Sequence, residues 1–510
     1  MKTPPLSHQA KELAEAGLDP VKAIFWEQGL GKTWEALAEA ELLFGRGCID
    51  AMFVLAPNGL HANWTKYEIP PHLEVPHACL AYDTHRHAHT KRGEAEVKEF
   101  LAYREGLPIL TMSYDGIKTE KGKALAKKFL TERKVFYILD ESNRIKTPSA
   151  AVTKVVVYSG RYAKYKRLLC GTPIDNSPFD IYPQMQFLEK DIWERTEHGL
   201  GSFGAFKSFF ANWDVGYRFD KRQYVMDKNA GKEEEICGQV PYPILASYKN
   251  MEVLKALIAS LSSRLLKEDV LDLPPKLYSY SGFDLTPKQR SVYGQLEEEF
   301  MAMLDGELLA VPLALTRIMR LQQVTCNYIP TDCLLSATSE AEDRAKYRMI
   351  DPDRNPRLDI LKEITADLPH KAIIWARFVQ DIDLIMGLLG ASCVRWDGST
   401  DTHTREQNKA RFLEDPSVQF MAATAESMGE GHTLNIAKTS IYYSSSYRLR
   451  PRLQSEDRNH RIGQDSSVHI IDIVANNTID LRIIEALRNK FDMASMLTDK
   501  KTRSWLLTPP

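Results

Sequence analysis

Residues 26–33 read WEQGLGKT. Glycines at 29 and 31 let main-chain N–H groups approach phosphate oxygens with no Cβ in the way. The ammonium of Lys32 can reach β- and γ-phosphates, and the Thr33 hydroxyl can hold Mg2+. The apolar run AIF precedes the stretch and the helical pattern TWEALAEAELLF follows it. That is the strand–loop–helix context a phosphate loop needs, with the positive end of a helix dipole facing the ligand. Trp26 stands where a glycine usually opens such loops. A glycine-rich helix start carrying a solvated lysine is the competing reading.

Two further clusters bear chemistry. VFYILDESN (135–143) is an apolar strand ending in two adjacent carboxylates, Asp140 and Glu141. In a parallel sheet, ligands sit at the carboxyl ends of strands. There Asp140 would hold a metal, and Glu141 would orient and deprotonate an attacking water. Two surface acids opening a loop are the alternative. QSEDRNHRIGQ (454–464) places Arg458 and Arg461 three apart, so on a helix they share a face. Paired guanidiniums suit the charge that builds on a transferring phosphoryl group. A basic helix touching only solvent or DNA phosphate is the alternative.

These groups need strands and helices to hold them. AMFVLAP (51–57), LPILTMS (107–113), VFYILDE (135–141) and KRLLCGTP (166–173) read as buried strands, with helices such as 34–44 and 95–103 between them. KAIIWAR (371–377), ASCVRWDG (391–398), VQFMAAT (418–424), KTSIYYSS (438–445) and VHIIDIV (468–474) form a second alternating series. Alternation of this kind predicts an α/β fold of two parallel-sheet lobes covered on both faces. The expected division is 1–190 for the first lobe, 191–273 for a helical insertion and linker, 274–482 for the second lobe with a helical insertion at about 286–345, and 483–510 for a terminal helix and tail.

The order of WEQGLGKT, DESN, LLCGTP and QSEDRNHRIGQ resembles the superfamily-2 helicase-type ATPases, specifically the Swi/Snf-type DNA translocases, whose loops also begin without the first glycine. RLLKEDVLDLPPKLYSYSGFDLTPKQRSVY, PRLDILKEI and VRWDGSTDTHTREQNKARF resemble further family blocks, so the likeness spans nearly the whole chain. It implies two RecA-like lobes and a DNA-dependent ATP hydrolase using Mg2+. Tracking on duplex DNA is the main expectation. A strand-separating or branch-migrating helicase and an ATP-dependent binding switch without turnover are the alternatives, and nucleosome remodelling ranks lower.

Residue by residue, the resemblance implies nucleotide contacts at Gln9, Gly29, Leu30, Gly31, Lys32, Thr33, Gly429, Gly431 and Gln454. It implies metal coordination at Thr33 and Asp140. Catalysis would fall to Lys32, Asp140, Glu141, Arg458 and Arg461. Gly171 and Thr172 would couple the ATP state to lobe movement, and Asn63, Ser113, Arg377 and Thr424 would meet DNA phosphate. The chain departs from the family pattern at Asn143, Cys170, Met428, Thr433 and SYRLRP (446–451).

Composition bounds the remaining readings. Lys and Arg total 66 against 68 Asp and Glu, a net charge of -2, so any DNA-binding surface must be local. The seven cysteines are dispersed with no C-x-x-C pair, which fits a reducing compartment. The start lacks an apolar signal region, and no run approaches the ~18 apolar residues of a membrane span. An intracellular protein, cytoplasmic or nucleoid-associated, is expected, with DNA as partner, no membrane, and any recruiting protein unspecified. HRHAH (85–89) reads as a solvated loop. Trp375 and Trp396 read as core, and the basic run 118–134 as a solvated helix face.

Overall fold

The computed structural model describes residues 1–227, 232–305, 311–330, 347–428, 434–461 and 463–496. Contacts divide the chain into two compact units. The first comprises Met1–Ala211 and Tyr248–Leu273, with a stretch beginning at Lys490; the second comprises Asn212–Ser247 and Pro274–Asn489.

The first unit is built on strands β1 (Val21–Ile24), β2 (Ala51–Ala56), β3 (His77–Tyr82), β4 (Leu107–Ser113), β5 (Val135–Asp140) and β6 (Tyr165–Leu169). Every side chain of β2, β4 and β6 is buried. Continuous apolar burial of this kind marks a parallel sheet covered on both faces. The sheet order is β3-β4-β2-β5-β6-β1, with all pairings parallel. The carboxyl ends of β5, β6 and β1 are therefore neighbours. Helix α1 (Ser7–Ala16) precedes β1, and α2 (Lys32–Gly45) follows it.

The segment 191–273, expected to be helical, is mixed. It holds the helix Phe203–Phe210, a two-stranded ribbon of β7 (Ala211–Asp227) and β8 (Lys232–Tyr248), and the helix Met251–Ser260. It ends in β9 (Ser262–Ser263), which pairs in parallel with β1 and extends the first sheet. The edge pairing saturates main-chain groups of β1 that would otherwise be open. HRHAH is also not a loop. Thr84–His89 is a short helix, N-capped by the Asp83 carboxylate, with His87 buried against Tyr82. The basic run contains the helix Glu120–Glu132.

The second unit carries β10 (Lys276–Phe283), the short antiparallel pair β11 (Tyr328–Pro330) and β12 (Tyr347–Met349), then β13 (Ala372–Ala376), β14 (Cys393–Trp396), β15 (Phe420–Thr424), β16 (Thr439–Tyr442) and β17 (Val468–Ala475). Its main sheet runs β10-β17-β16-β13-β15-β14, again parallel throughout. Two helices, Pro287–Asp305 and Val311–Thr325, lie in the region expected to be helical. Trp375 and Trp396 are core residues, 1% and 3% exposed. The fold is thus α/β with two parallel-sheet lobes, as the alternating pattern predicts. Among the described residues, no helix is long and apolar enough to cross a membrane.

Candidate active site

Three neighbouring strand ends build the site in the first unit. The loop after β1 turns through Gly29 (φ 84) and Gly31 (φ 75) into α2. Both conformations are left-handed, where a side chain adds strain. A Cβ at Gly31 would also stand 2.3 Å from Gln9 Nε2. The first main-chain amide of this turn to bond back into the helix is that of Glu35, which donates to the Gly31 carbonyl. The amides of residues 32–34 precede it, at the end of a 14-residue helix where the dipole favours an anion. Lys32 Nζ donates to the carbonyls of Trp26 (3.0 Å) and Glu27 (3.2 Å), bringing its charge back over the loop. Thr33 is half-buried beside it. The Leu30 side chain is fully buried, so this residue offers main chain only.

Gln9 arrives from α1. Its Oε1 accepts from Leu6 N at 2.7 Å, and its Nε2 donates to the Gly31 carbonyl at 3.1 Å. His8 Nε2 lies 3.0 Å from the Leu30 carbonyl, and its ring packs edge-on against Trp26. The residues at the opening of α1 therefore rest on the phosphate-loop turn.

The strand after which Asp140 and Glu141 follow is β5. Burial, then the Glu141 charge, push the Asp140 carboxyl up to about 6; a hydrogen bond from Trp64 and the Lys32 charge oppose the rise. Lys32 and Asp140 thus act on each other electrostatically. Glu141 is 7% exposed and sits at φ 53, a left-handed conformation rare outside glycine. Such outliers gather at functional sites. Cys170 Sγ lies 3.9 Å from Glu141 Oε2. Oxygen donors on Thr33 and Asp140, with open amides nearby, are a set that fits Mg2+ and a phosphate chain.

The end of β6 supplies Gly171 and Thr172. Asn143 Nδ2 donates to the Thr172 carbonyl at 3.0 Å, which ties the acidic loop to this turn through the residue that departs from the family pattern. A Cβ on Gly171 would meet the phosphate loop at 3.3–3.4 Å. Sequence reasoning passed over the brace behind the loop. Trp26 Nε1 donates to Ser263 Oγ at 3.0 Å. One Arg264 Nη1 donates to both the Phe25 carbonyl (2.6 Å) and the Gly171 carbonyl (3.1 Å). Lys267 N donates to Glu27 Oε2. These partners lie about 240 residues from the loop, and no local pattern encodes such a pairing.

The residues expected to meet DNA differ in exposure. Asn63 and Arg377 are half-buried. Ser113 is 8% exposed, with Oγ accepting from Gly116 N, and Thr424 is 7% exposed, donating to Ser427 Oγ. The last two hydroxyls are committed inside the protein. Arg377 and Thr424 stand at the adjacent ends of β13 and β15.

In the second unit, Arg458 and Arg461 do not share a helix face, contrary to expectation. The helix Leu449–Glu456, which carries a half-buried Gln454, stops before them. The Arg458 carbonyl is taken by Leu434 N at 2.9 Å, and the Asn459 carbonyl by Gln464 Nε2 at 2.9 Å. The helix has already ended at Glu456, and these two bonds fix the main chain beyond it. Gly463 then turns at φ 91. His460 Nε2 lies 2.8 Å from the Pro274 carbonyl. Arg458 ends 3% exposed, and Arg461 half-buried. Gly429 and Gly431 lie outside the described residues.

Comparison with known proteins matches residues 23–328 to the SNF2-related domain and residues 356–463 to the helicase conserved C-terminal domain. The TATA-binding protein-associated factor mot1 of Aspergillus fumigatus is 23% identical over 402 residues, covering 72% of this chain and 20% of that protein. The lymphoid-specific helicase of Homo sapiens is 23% identical over 541 residues, covering 93% of this chain and 60% of that protein. This chain therefore spans only part of the length of either relative. Among solved structures, the SWI2/SNF2 ATPase core of Sulfolobus solfataricus in complex with dsDNA is 21% identical and covers 98% of this chain and 96% of that one, with a TM-score of 0.40.

Proposed function

The chain belongs to the SNF2-related family, and from that premise we propose that it is a DNA-dependent ATP hydrolase that couples hydrolysis to movement along duplex DNA. The observation that carries the reading is the convergence, at neighbouring strand ends, of Lys32 with Asp140 and Glu141, close enough for the lysine charge to oppose the rise in the Asp140 pKa.

In this proposal the amides opening α2 and the Lys32 ammonium bind the triphosphate, with Gly29, Leu30 and Gly31 lending main chain. Gln9, already resting on the loop, contributes to adenine recognition. Thr33 and Asp140 hold Mg2+, which neutralises phosphate charge when bound. Glu141 positions and deprotonates the attacking water. Arg458 and Arg461 of the second unit stabilise the charge that develops on the transferring phosphoryl group, with Gln454 nearby in sequence assisting. Gly171 and Thr172, linked to the acidic loop by Asn143, relay the state of the phosphates. Asn63 and Arg377 meet DNA phosphates, as do main-chain groups near Ser113 and Thr424. Binding dominated by phosphate is salt-sensitive and largely independent of sequence.

The test is phosphate release by the whole chain with no DNA and with single-stranded, blunt duplex, forked and four-way DNA. Stimulation by blunt duplex supports tracking. Stimulation confined to forked or four-way DNA, with strand release, supports the helicase reading instead. Lys32→Ala should reduce stimulated release to background while the melting temperature holds; undiminished turnover in that variant would overturn the nucleotide site.

A further inference from the structure

Two aromatic residues converge on Asp140 from the two blocks of the first unit assigned above to DNA. Asn63 is followed by Trp64, whose indole N–H donates to Asp140 Oδ2 at 2.9 Å. Ser113 is followed by Tyr114, whose hydroxyl donates to the Asp140 main-chain carbonyl at 2.9 Å. Both side chains are buried, at 2% and 6% exposure. Each is therefore adjacent in sequence to a surface block and bonded to the residue at the centre of the site.

The backbone around them is suited to transmitting displacement. Leu60–Asn63 is one helical turn, and Trp64–Glu68 continues it as a π-helical turn. Such turns carry poorer hydrogen bonding and recur at functional sites. Thr111 Oγ1 donates to the His61 carbonyl at 2.7 Å, so the two blocks are bonded to each other. Tyr114 N donates to the Ala56 carbonyl at the end of β2, and Ser113 Oγ accepts from Gly116 N at 2.9 Å. Lys66 and Asn58 are exposed on these same blocks, and Lys118 is exposed beside them. A shift of either block on contact with a phosphate backbone moves a donor on Asp140.

We propose that Trp64 and Tyr114 are positioning residues that transmit duplex engagement to the Asp140 carboxylate, and so set how strongly DNA and nucleotide affect each other's binding. This rests on the reading given under the proposed function. Neither residue touches substrate; both act through Asp140. Because linkage is reciprocal, the factor by which nucleotide alters DNA affinity equals the factor by which DNA alters nucleotide affinity. That factor is measured without turnover.

The experiment uses anisotropy of a labelled blunt duplex, with and without saturating Mg2+ and the non-hydrolysable analogue AMP-PNP. It is run on the whole chain as wild type, Trp64→Phe, Tyr114→Phe and the double variant. Trp193→Phe is the control, since it removes an equally buried indole N–H of the same unit, one that donates to the Tyr182 carbonyl. In the wild type the duplex Kd should change about fivefold or more on adding the analogue. In the double variant that ratio should fall below about twofold, while the Kd for each ligand alone stays within about threefold of wild type. Tyr114→Phe removes a single oxygen and preserves the test if Trp64→Phe does not fold. An unchanged ratio in the double variant, or equal loss in Trp193→Phe, overturns the relay. A wild type that binds both ligands independently also overturns the relay but leaves the binding sites standing. A wild type that binds neither ligand overturns the family-based function and the relay with it.

Discussion

In the first unit, Lys32 is held by main-chain carbonyls of its own loop, on a turn made of left-handed glycines and braced by Gln9, Ser263 and Arg264. In the second unit, the turn bearing Arg458 and Arg461 is tied by Leu434 N, by His460 to the Pro274 carbonyl, and by the neutral Gln464, whose amide spans the carbonyls of Asn435 and Asn459. The lysine is placed by loop conformation, and the arginine turn by bonds from outside the helix that precedes it. The units also differ in their buried charge. Behind α2, Arg167 bonds Glu39 and Lys22 pairs with Glu12, while neither carboxylate oxygen of Glu35 is bonded. In the second unit, Arg452 and Lys276 meet Asp472, Glu456 and Asp457 in a bonded network, which holds the Glu456 carboxyl below its usual range despite full burial. Glu35, with no bonded cation, takes a proton, whereas Glu456, bonded by Arg452 and Lys276, stays charged.

Arg461→Ala tests the arginine side of this contrast and should have the largest effect. Turnover should fall by about 10²–10⁴-fold with nucleotide affinity within a few fold, as expected for a group acting only in the transition state. Single-turnover kinetics with a separate binding titration checks it; lost binding with normal turnover at saturation would break the contrast with Lys32. Gln464→Ala comes next. It removes the donor from the Asn459 carbonyl of the arginine turn and from the Asn435 carbonyl facing it, a destabilisation of roughly 2–6 kcal/mol at 1–3 kcal/mol per buried unpaired group. Denaturant unfolding should show it, with turnover reduced although no arginine is altered. Wild-type stability would mean the turn is held by other contacts.

The smallest effect on turnover is expected at Glu35, fully buried with neither carboxylate oxygen bonded. Burial, aided by Glu39 and Glu12, pushes its carboxyl up to about 9 from 4.5. The folded chain thus keeps a proton that the unfolded chain releases. Its contribution is fully present below about pH 4.5 and is lost as pH rises toward about 9. Melting curves should show wild type losing stability relative to Glu35→Gln between pH 5 and 8.5, by up to about 1.4 kcal/mol per pH unit. Parallel curves would remove Glu35 from the account.

The strands readable from sequence were the buried ones, because two covered faces demand unbroken apolar runs such as AMFVLA. β3 and β10 were missed: their half-exposed sides interrupt the run. The phosphate loop was readable because its glycines, lysine and flanking elements are contiguous. The shared helix face of Arg458 and Arg461 was misread because the helix ends at Glu456, and the chain beyond it is fixed by Leu434 N and the Gln464 side chain, which a three-residue spacing does not reveal.

Local order along the chain thus determined which residue types could bind phosphate and which segments alternate as strand and helix. Such features depend on neighbours within a few positions. Tertiary structure alone decided that Trp64 and Tyr114 bond Asp140, that β9 braces β1 from about 240 residues away, and that neither Glu35 oxygen is bonded. Each of those depends on which distant groups share a low-dielectric interior, and periodicity along a chain carries no record of that.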